Sequence, residues 1–354
     1  MNAFAQASTL AALPSRDALV DSFGRVHRAI RISVTDACNI RCQYCMPAEG
    51  AKFLPQSRLL SFERIAKFVE IATQVGISKI RITGGEPLMR ANLADLFAKL
   101  ASIPGANDLA ITTNGMLLAE QLPQLVAAGL KRINISLDTL NDQTFKQLSR
   151  RDGLDKVLAG IAATKAFPEL RVRLNALILP EVNGADVIPL VEFARAQHLP
   201  LRFIEFMPLD AERAWDKSRM ITGADLRAKI ADRFGALREI VGNDPSQPAT
   251  DFEFADGRGT VGFIDSVTRP FCGNCDRLRL TADGQLRNCL FSHQEWDVAQ
   301  LLAELENSTA AELTSIEGKI ISVMRDCVER KYAAHGINDP LFQQPERAMY
   351  RIGG

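Results

Sequence analysis

Residues 29–45 read AIRISVTDACNIRCQYC, a short run rich in β-branched residues that leads into a loop with three cysteines. Cys38, Cys42 and Cys45 follow a C-x3-C-x2-C spacing, which lets one short loop wrap three thiolates around a compact cluster. Three thiolates are one fewer than a closed tetrahedral zinc site or a standard iron–sulfur site requires. The spacing therefore predicts a 4Fe–4S cluster that keeps one iron open for a small molecule.

A second group of three cysteines lies towards the other end of the chain, where Cys272, Cys275 and Cys289 read C-x2-C-x13-C. By the same count of ligands, this group predicts a second metal site with an open position. The spacing also allows a zinc knuckle on a β-hairpin, because His293 follows Cys289 closely enough to be a fourth ligand. Two open sites in one chain suggest a reaction carried out between two clusters.

The residues after Cys275 read DRLR, and on an extended strand the side chains of Arg277 and Arg279 share one face. Two guanidinium groups on one side of a strand suit a polyphosphate. A solvated strand face is the other interpretation of this run. The arginines beside the thiols favour a substrate site over a zinc knuckle.

The composition argues against several classes of protein. Lysine and arginine number 42 and balance 42 aspartate and glutamate residues, which argues against a protein that binds nucleic acid or a membrane surface. Seven cysteines in 354 residues fit metal ligation in a reducing compartment, so we expect a cytoplasmic protein. No apolar run approaches the ~20 residues of a membrane span. Residues 1–23 indicate a poorly ordered tail more than a secretory signal.

Short β-rich runs alternate with helical patterns through most of the chain. The predicted strands cover residues 29–34, 79–83, 109–113, 132–137, 171–179 and 201–206. The predicted helices cover residues 62–74, 92–101, 117–128, 154–166 and 185–196. Six such units favour an α/β fold with an incomplete TIM-type (β/α)6 barrel over residues 24–235, with an open doubly wound sheet as the alternative. Residues 236–354 are predicted to form a C-terminal cluster-binding region of short strands and helices.

Polar or glycine-bearing motifs follow five of the six predicted strands. Barrel enzymes place their chemistry at the C-terminal ends of their strands, so this shared position predicts one common site. The motifs are Thr35–Cys38, Gly84–Pro87, Thr113–Gly115, Ser136–Asp138 and Glu205–Pro208.

Two motifs resemble those of the radical S-adenosylmethionine (SAM) superfamily. They are the first triplet, with Tyr44 before its last cysteine, and Gly84-Gly85-Glu86-Pro87. The resemblance implies that the open iron binds the amino and carboxylate groups of SAM, which is cleaved to a 5′-deoxyadenosyl radical. It also implies five SAM-binding positions, which are Tyr44, Gly85, Glu86, Ser136 and the backbone at Met207.

Within that superfamily, the chain resembles the GTP 3′,8-cyclase family over roughly residues 24–354. The resemblance rests on the second triplet, the C-D-R-L-R run and the final Gly353-Gly354. It implies two 4Fe–4S clusters held by the six cysteines, SAM as cofactor and GTP as substrate. The implied substrate contacts are Arg31, Arg81, Thr112, Arg173, Arg277, Leu278 and Arg279, and the implied catalytic residues are Gly353, Gly354, Arg277 and Arg279. Arg173 departs from the lysine usual in the family, and the two cations are not equivalent.

The implied reaction removes a hydrogen at ribose carbon 3′ of GTP, after which that carbon attacks carbon 8 of the guanine. The product is (8S)-3′,8-cyclo-7,8-dihydroguanosine 5′-triphosphate, an intermediate of molybdenum cofactor biosynthesis. The implied partners are an electron donor of unknown identity and, transiently, cyclic pyranopterin monophosphate synthase. We expect a monomer or a homodimer, with no nucleic-acid or membrane partner.

Two alternatives stand beside this interpretation. A radical SAM maturase that modifies peptides and carries an auxiliary cluster would share the first triplet. Such enzymes tend to have more cysteines in the second region and leave the arginine run unexplained. A non-catalytic zinc-binding interaction module would contain zinc and would need no G-G-E-P motif after a strand.

Overall fold

The computed structural model describes residues 17–240 and 244–353. Its strands are β1 (Ala29–Ser33), β2 (Lys79–Thr83), β3 (Asp108–Thr113), β4 (Arg132–Ser136), β5 (Arg171–Leu177), β6 (Leu201–Ile204), β7 (Leu237–Glu239), β8 (Thr250–Phe254), β9 (Thr260–Ile264), β10 (Arg277–Leu280), β11 (Gln285–Arg287) and β12 (Trp296–Asp297). Its helices are α1 (Phe62–Gln74), α2 (Leu93–Ala101), α3 (Leu118–Ala127), α4 (Asp142–Ser149), α5 (Leu154–Ala163), α6 (Pro180–Asn183), α7 (Val187–Ala196), α8 (Gly223–Phe234), α9 (Ala299–Leu305), α10 (Ala310–Glu329) and α11 (Met349–Ile352).

The described strands form one 12-stranded sheet in the order β12-β11-β10-β1-β2-β3-β4-β5-β6-β9-β8-β7. Strands β1 to β6 pair in sequence order and all run parallel, with helices in the crossovers between them. This arrangement confirms the predicted α/β fold with an incomplete barrel. The barrel is not closed, because β7 and β12 lie at opposite ends of the sheet.

Alternation along the parallel strands separates an apolar outer face from a polar inner face. In β1, the side chains of Ile30 and Ile32 are fully buried in the main hydrophobic core, which lies between the sheet and its helices. Arg31, between them, points to the opposite face and lines an interior cavity. The same pattern repeats in β2, where Ile80 and Ile82 flank Arg81.

The C-terminal region extends both sides of the same sheet. Strand β9 adds parallel to β6, and β10 adds parallel to β1, so residues from this region complete both walls of the barrel. A hairpin turn at Asp283-Gly284 joins β10 to β11, with Gly284 at a φ of +83°. Among the described residues, no helix has the length and apolar character that crossing a bilayer demands.

The segment before β1 differs from the prediction of a disordered tail over residues 1–23. Residues 1–16 lie outside the described part of the chain, but residues 17–23 are folded onto the barrel. The side chain of Leu19 is 1% exposed, and its N–H donates to the carbonyl of Val75 at 3.3 Å. The partners of residues 17–23 lie far along the sequence, where local composition gives no indication of them.

A buried ion pair holds this segment to the second cysteine loop. The guanidinium of Arg25 donates to the Asp21 carboxylate at 2.6 Å, to the carbonyl of Cys272 at 2.7 Å and to that of Tyr332 at 2.8 Å. We call Asp21 and Arg25 the N-terminal latch. Because both side chains are almost fully enclosed, each charge depends on the other for compensation.

Substituting Arg25→Ala leaves the Asp21 carboxylate buried without its cation. We expect the free energy of unfolding to fall by about 3 kcal/mol, the usual cost of breaking a buried pair. Denaturant unfolding monitored by circular dichroism measures this change. The matched control is Arg28→Ala at an exposed position nearby, which should change stability by no more than about 0.5 kcal/mol. Equal losses in the two variants would contradict the latch.

Candidate active site

A cavity of about 390 Å³ occupies the interior of the barrel. It brings together most of the residues that the sequence predicted for one site. The predicted residues that line it are Arg31, Cys38, Cys42, Tyr44, Cys45, Arg81, Gly85, Glu86, Thr112, Ser136, Arg173, Met207 and Arg277. The polar strand-end motifs therefore do converge, and the first cysteine triplet forms one end of the cavity.

The loop of the first triplet is shaped by hydrogen bonds to its own backbone and to helix α4. The N–H of Cys45 donates to the carbonyl of Cys42 at 3.0 Å, and the N–H of Arg41 donates to that of Ser149 at 2.7 Å. Burial raises the pKa of Cys38 to about 11 and that of Cys45 to about 12, and it raises the pKa of Cys42 well above the usual value of a thiol. These three half-buried thiols ionise readily only with a positive charge beside them, which iron would supply, so this donor set fits an iron–sulfur cluster.

The two glycines of the G-G-E-P motif let strand β2 end directly against the cysteine loop. A Cβ on Gly85 would lie 2.4 Å from the carbonyl oxygen of Ala37, and one on Gly84 would lie 2.7 Å from that of Thr35. The N–H of Gly85 donates to that Thr35 carbonyl at 2.8 Å. The glycines are therefore required for backbone packing against the triplet as well as for access to a ligand.

Glu86 has a stronger structural role than the sequence suggested. Its carboxylate is 1% exposed and accepts hydrogen bonds from Thr113 Oγ1 at 2.6 Å, Asn114 N at 2.7 Å and Leu88 N at 3.0 Å. Burial raises its pKa to about 7, although these donors favour the charged form. Glu86 thus joins the ends of β2 and β3, while its position on the cavity wall leaves it able to face a ligand.

Asp138 is a site residue that the sequence analysis placed in a motif but gave no role. The hydroxyl of Tyr44 donates to Asp138 Oδ2 at 2.5 Å, and the N–H of Leu177 donates to Oδ1 at 2.8 Å. Burial raises the pKa of Asp138 to about 6. The pair connects the cysteine loop to the end of β4, beside Ser136.

Five arginines give the inner wall an excess of positive charge. Four of them, Arg31, Arg81, Arg173 and Arg277, line the cavity, whereas Arg279 lies on the same face of β10 as Arg277 but does not line the cavity. Strand pairing places them together, since Arg31 is the register partner of both Arg81 and Arg279. Burial lowers the pKa of Arg31 and of Arg173 to about 10, and nearby arginines add to this effect.

These five guanidinium groups lack carboxylate partners. Within the described part of the chain, no carboxylate oxygen lies within 4.0 Å of any of their nitrogens. Two other arginines on the same wall are paired, Arg132 with Asp108 at 2.5 Å and Arg202 with Asp251 at 2.6 Å. Buried cations without counter-charge are costly, so the wall requires an anionic ligand.

Other polar residues of the wall were missed by sequence reasoning. Lys79, Asn134, Asn175 and Arg202 line the cavity, and Asn175 Oδ1 is buried without a hydrogen-bond partner. All four lie in predicted strands, so their period-2 alternation with apolar residues was the signal that could have identified them.

Leu278, which is predicted to bind substrate, does not line the cavity with its side chain. It is fully buried in the main hydrophobic core, because it points to the opposite face of β10 from Arg277 and Arg279. Its apolar side chain packs between the sheet and the helices, and only the flanking arginines face inwards.

The second triplet lies at the opposite end of β1 from the first. Cys275 precedes β10, whose first residue pairs with Ala29, whereas Cys38 follows the far end of β1. Since β1 is five residues long, the two triplets are separated by ~17 Å of strand at about 3.3 Å per residue. The cavity runs between these ends, from the first triplet to Arg277 and Leu290 beside the second.

The thiols of the second triplet have a different electrostatic setting from the first. Burial opposes ionisation of Cys275, but Arg277 and Lys331 together hold its pKa at about 6. Cys272 interacts electrostatically with Cys275 and Cys289, and burial raises its pKa. The donor set fits a thiolate-ligated cluster with cationic neighbours.

The zinc alternative depends on His293, and that side chain is solvent-exposed. In residues 17–240 and 244–353, no three side chains of His, Cys, Asp or Glu are arranged to hold a single metal ion.

The C-terminal tail returns to the first end of the cavity. Gly353 accepts a hydrogen bond at its carbonyl from Arg279, and the N–H of Met349 donates to the carbonyl of Leu209 at 3.0 Å. Gly353 has a φ of +84°, and a Cβ there would lie 2.5 Å from Thr83 Oγ1. Only glycine fits this position without displacement. Gly354, the other predicted catalytic glycine, lies outside the described residues.

Comparisons with known proteins agree with this site. Residues 32–194 match the Radical SAM superfamily, and residues 199–335 match Molybdenum Cofactor Synthesis C. The chain has 47% identity over 340 residues to a GTP 3′,8-cyclase of Rhodopirellula baltica, which covers 95% of this chain and 92% of the relative. It has 42% identity over 349 residues to a GTP 3′,8-cyclase of Rhodococcus opacus, which covers 98% and 96% respectively.

Solved structures share the fold at low sequence identity. Streptococcus suis SuiB bound to S-adenosylmethionine superposes with a TM-score of 0.56 at 15% identity, over 92% of this chain and 77% of that one. The anSMEcpe structure with bound AdoMet gives a TM-score of 0.53 at 14% identity, over 84% and 83%. These likenesses establish the fold alone, whereas the sequence matches extend over nearly the whole chain. The chain belongs to the GTP 3′,8-cyclase family of the radical SAM superfamily.

Proposed function

We propose that this protein converts GTP to (8S)-3′,8-cyclo-7,8-dihydroguanosine 5′-triphosphate for molybdenum cofactor biosynthesis. The observation that carries the proposal is the group of four cavity-lining arginines without carboxylate partners, Arg31, Arg81, Arg173 and Arg277. A triphosphate supplies the negative charge that these guanidinium groups lack within the protein, and guanidinium binds phosphate oxygens in a bidentate manner. The relatives named GTP 3′,8-cyclase support the same substrate.

We assign the first cluster to Cys38, Cys42 and Cys45. When bound, this cluster and SAM supply the radical chemistry that begins the reaction. The chain positions the cofactor through the backbone at Gly85 and Met207, the side chain of Ser136, and Glu86 facing the SAM ammonium. Tyr44 contributes by fixing the loop through its bond to Asp138.

We assign a second 4Fe–4S cluster to Cys272, Cys275 and Cys289, at the end of the cavity where the guanine base would lie. This assignment is supported by the thiol set and by its position opposite the first triplet. In this arrangement the triphosphate lies along Arg31, Arg81, Arg173 and Arg277, with Thr112 beside Arg81 at 3.4 Å. Holding both ends of one nucleotide brings ribose and base into a reactive geometry.

We infer different roles for the four residues predicted to be catalytic. Arg279 is engaged with the carbonyl of Gly353, so it positions the tail, while Arg277 stays on the cavity wall for substrate. Gly353 then acts at the cavity end that holds the first triplet, and we propose that Gly354 takes part in the same step. We further propose cytoplasmic action with an electron donor yet to be identified, and cyclic pyranopterin monophosphate synthase as the enzyme that consumes the product.

An anaerobic reaction of the iron- and sulfide-reconstituted protein with SAM, GTP and a strong reductant tests the function. We expect 5′-deoxyadenosine and a cyclised isomer of GTP to form together, each depending on the other substrate. SAM cleavage without consumption of GTP would point instead to the peptide-modifying alternative. Bound zinc without any SAM cleavage would indicate the interaction module.

Replacing Arg173 tests the role of the unpaired arginines. Arg173→Met should weaken GTP binding by ~10- to 100-fold, in line with loss of a hydrogen bond to a charged group. Isothermal titration calorimetry on the reconstituted protein measures this affinity, and the effect should shrink from GTP to GMP. Arg171→Met is the matched control, because Arg171 lies on the same strand with its side chain 69% exposed. Arg173→Lys should retain more affinity than the methionine variant.

Deleting Gly353 and Gly354 should abolish formation of the cyclised product while iron content and GTP affinity stay unchanged. The physical reason is that the deletion shortens the tail at the cavity end that holds the first triplet. It leaves the ligands of both clusters in place. Gly353→Ala should have the same effect because its Cβ has no room beside Thr83. Product yield, iron content and GTP affinity are measured on the same preparations. Wild-type yield from the deletion variant would refute the role of the tail.

A further inference from the structure

Lys331 is a buried lysine beside the second cysteine triplet. It follows helix α10 directly after the capping residue Arg330, and its side chain is only 5% exposed. Its ammonium donates to the carbonyl of Arg277 at 2.8 Å and to the sulfur of Cys275 at 3.5 Å. This position makes Lys331 a direct hydrogen-bond donor to a predicted cluster ligand.

The charge of Lys331 has no carboxylate counterpart. Within the described residues, no Asp or Glu oxygen lies within 4.0 Å of its ammonium. The titratable groups that interact with it are His27, Cys275 and Cys327, and Arg277 adds further positive charge. Of these, only the Cys275 sulfur lies within hydrogen-bond distance and can carry negative charge. A buried ammonium needs a negatively charged partner, and the thiolates of the second triplet supply that charge.

The N-terminal latch fixes this geometry. Arg25 donates to the carbonyls of Tyr332 and Ala333, which follow Lys331, and also to that of Cys272 in the second triplet. One guanidinium therefore holds the segment of the lysine against the loop of the thiols. The contact between Lys331 and Cys275 is consequently built into the fold and does not depend on a mobile surface side chain.

In the described part of the chain, no lysine or arginine donates a hydrogen bond to a sulfur of the first triplet, although the charge of Arg41 lies near Cys38 and favours its ionisation against the larger effect of burial. The Cys38 sulfur accepts from the neutral amide of Asn114 at 3.8 Å, and Cys45 accepts from the backbone N–H of Tyr350. Cys42 lies near the carboxylate of Asp138. The two triplets therefore differ in whether a cationic side chain donates directly to a thiol sulfur, as Lys331 and Arg277 do to Cys275.

We propose that Lys331 is a positioning residue that raises the reduction potential of the second cluster through a charge-assisted N–H···S bond to Cys275. Hydrogen bonds to sulfur and nearby positive charge favour the reduced, more negative state of an iron–sulfur cluster. The inference rests on the second cluster assigned above. It makes the second cluster easier to reduce than an equivalent cluster without the lysine.

The test compares Lys331→Met with the wild-type protein in a full-length background that carries Cys38→Ala, Cys42→Ala and Cys45→Ala, so that only the second cluster forms. Both proteins are reconstituted anaerobically, and the midpoint potential is measured by redox titration followed by electron paramagnetic resonance. We expect the methionine variant to keep its iron and to shift to a more negative potential. Lys331→Arg, which keeps the charge, should stay nearer the wild-type value.

Lys319→Met is the matched control, because Lys319 lies on an exposed face of helix α10, away from the thiols. The midpoint potential of the Lys319→Met variant should equal that of the wild type. Lys331→Gln keeps an N–H donor without the charge and provides the same comparison if the methionine variant binds too little iron. Equal potentials in the wild type and both neutral variants would overturn the role of Lys331. Absence of iron from the background protein itself would instead refute the second cluster.

Discussion

The inner face of the parallel sheet cannot collapse, because its inward positions carry arginines instead of apolar side chains. Ile30 and Ile32 pack outwards in the core, while Arg31 between them turns inwards, and β2 repeats the arrangement around Arg81. Guanidinium groups that repel one another and lack carboxylates keep the barrel interior open. The outer core stabilises the fold, and this inner charge creates the space in which a reaction can occur.

Because the barrel is incomplete, distant parts of the chain can supply residues at both ends of that space. Strand β10 takes the place beside β1, and it brings the second triplet to one end and Arg279 to the inner wall. Helix α11 contacts the cysteine loop at the other end through Tyr350, and Gly353, which follows the helix, accepts a hydrogen bond from Arg279. A closed eight-stranded barrel would leave no gap for these additions.

The sequence was sufficient for the parts of the molecule that are locally determined. The alternation in β1 and the 3.6-residue period of α1 are visible without a partner, and both elements lie where they were predicted. Helix α4 was missed because it is only eight residues long and has two apolar residues, Phe145 and Leu148, which are too few to establish a helical period. The contacts of Glu86 with Thr113 and Asn114 depend on strand pairing, which a single motif does not reveal.

The N-terminal latch also has a consequence for the order of events during synthesis. Arg25 and its acceptor at Cys272 are 247 residues apart in the sequence, and its acceptor at Ala333 is 308 residues away. A ribosome releases the N-terminal part of the chain first. One edge of strand β1 therefore stays unpaired until β10 has been synthesised. Contacts between residues so far apart in the sequence form late, because the chain loses conformational entropy on closing the loop before the contacts stabilise the fold. The second thiol site therefore exists only once nearly the whole chain has been made, whereas the loop of the first can form early.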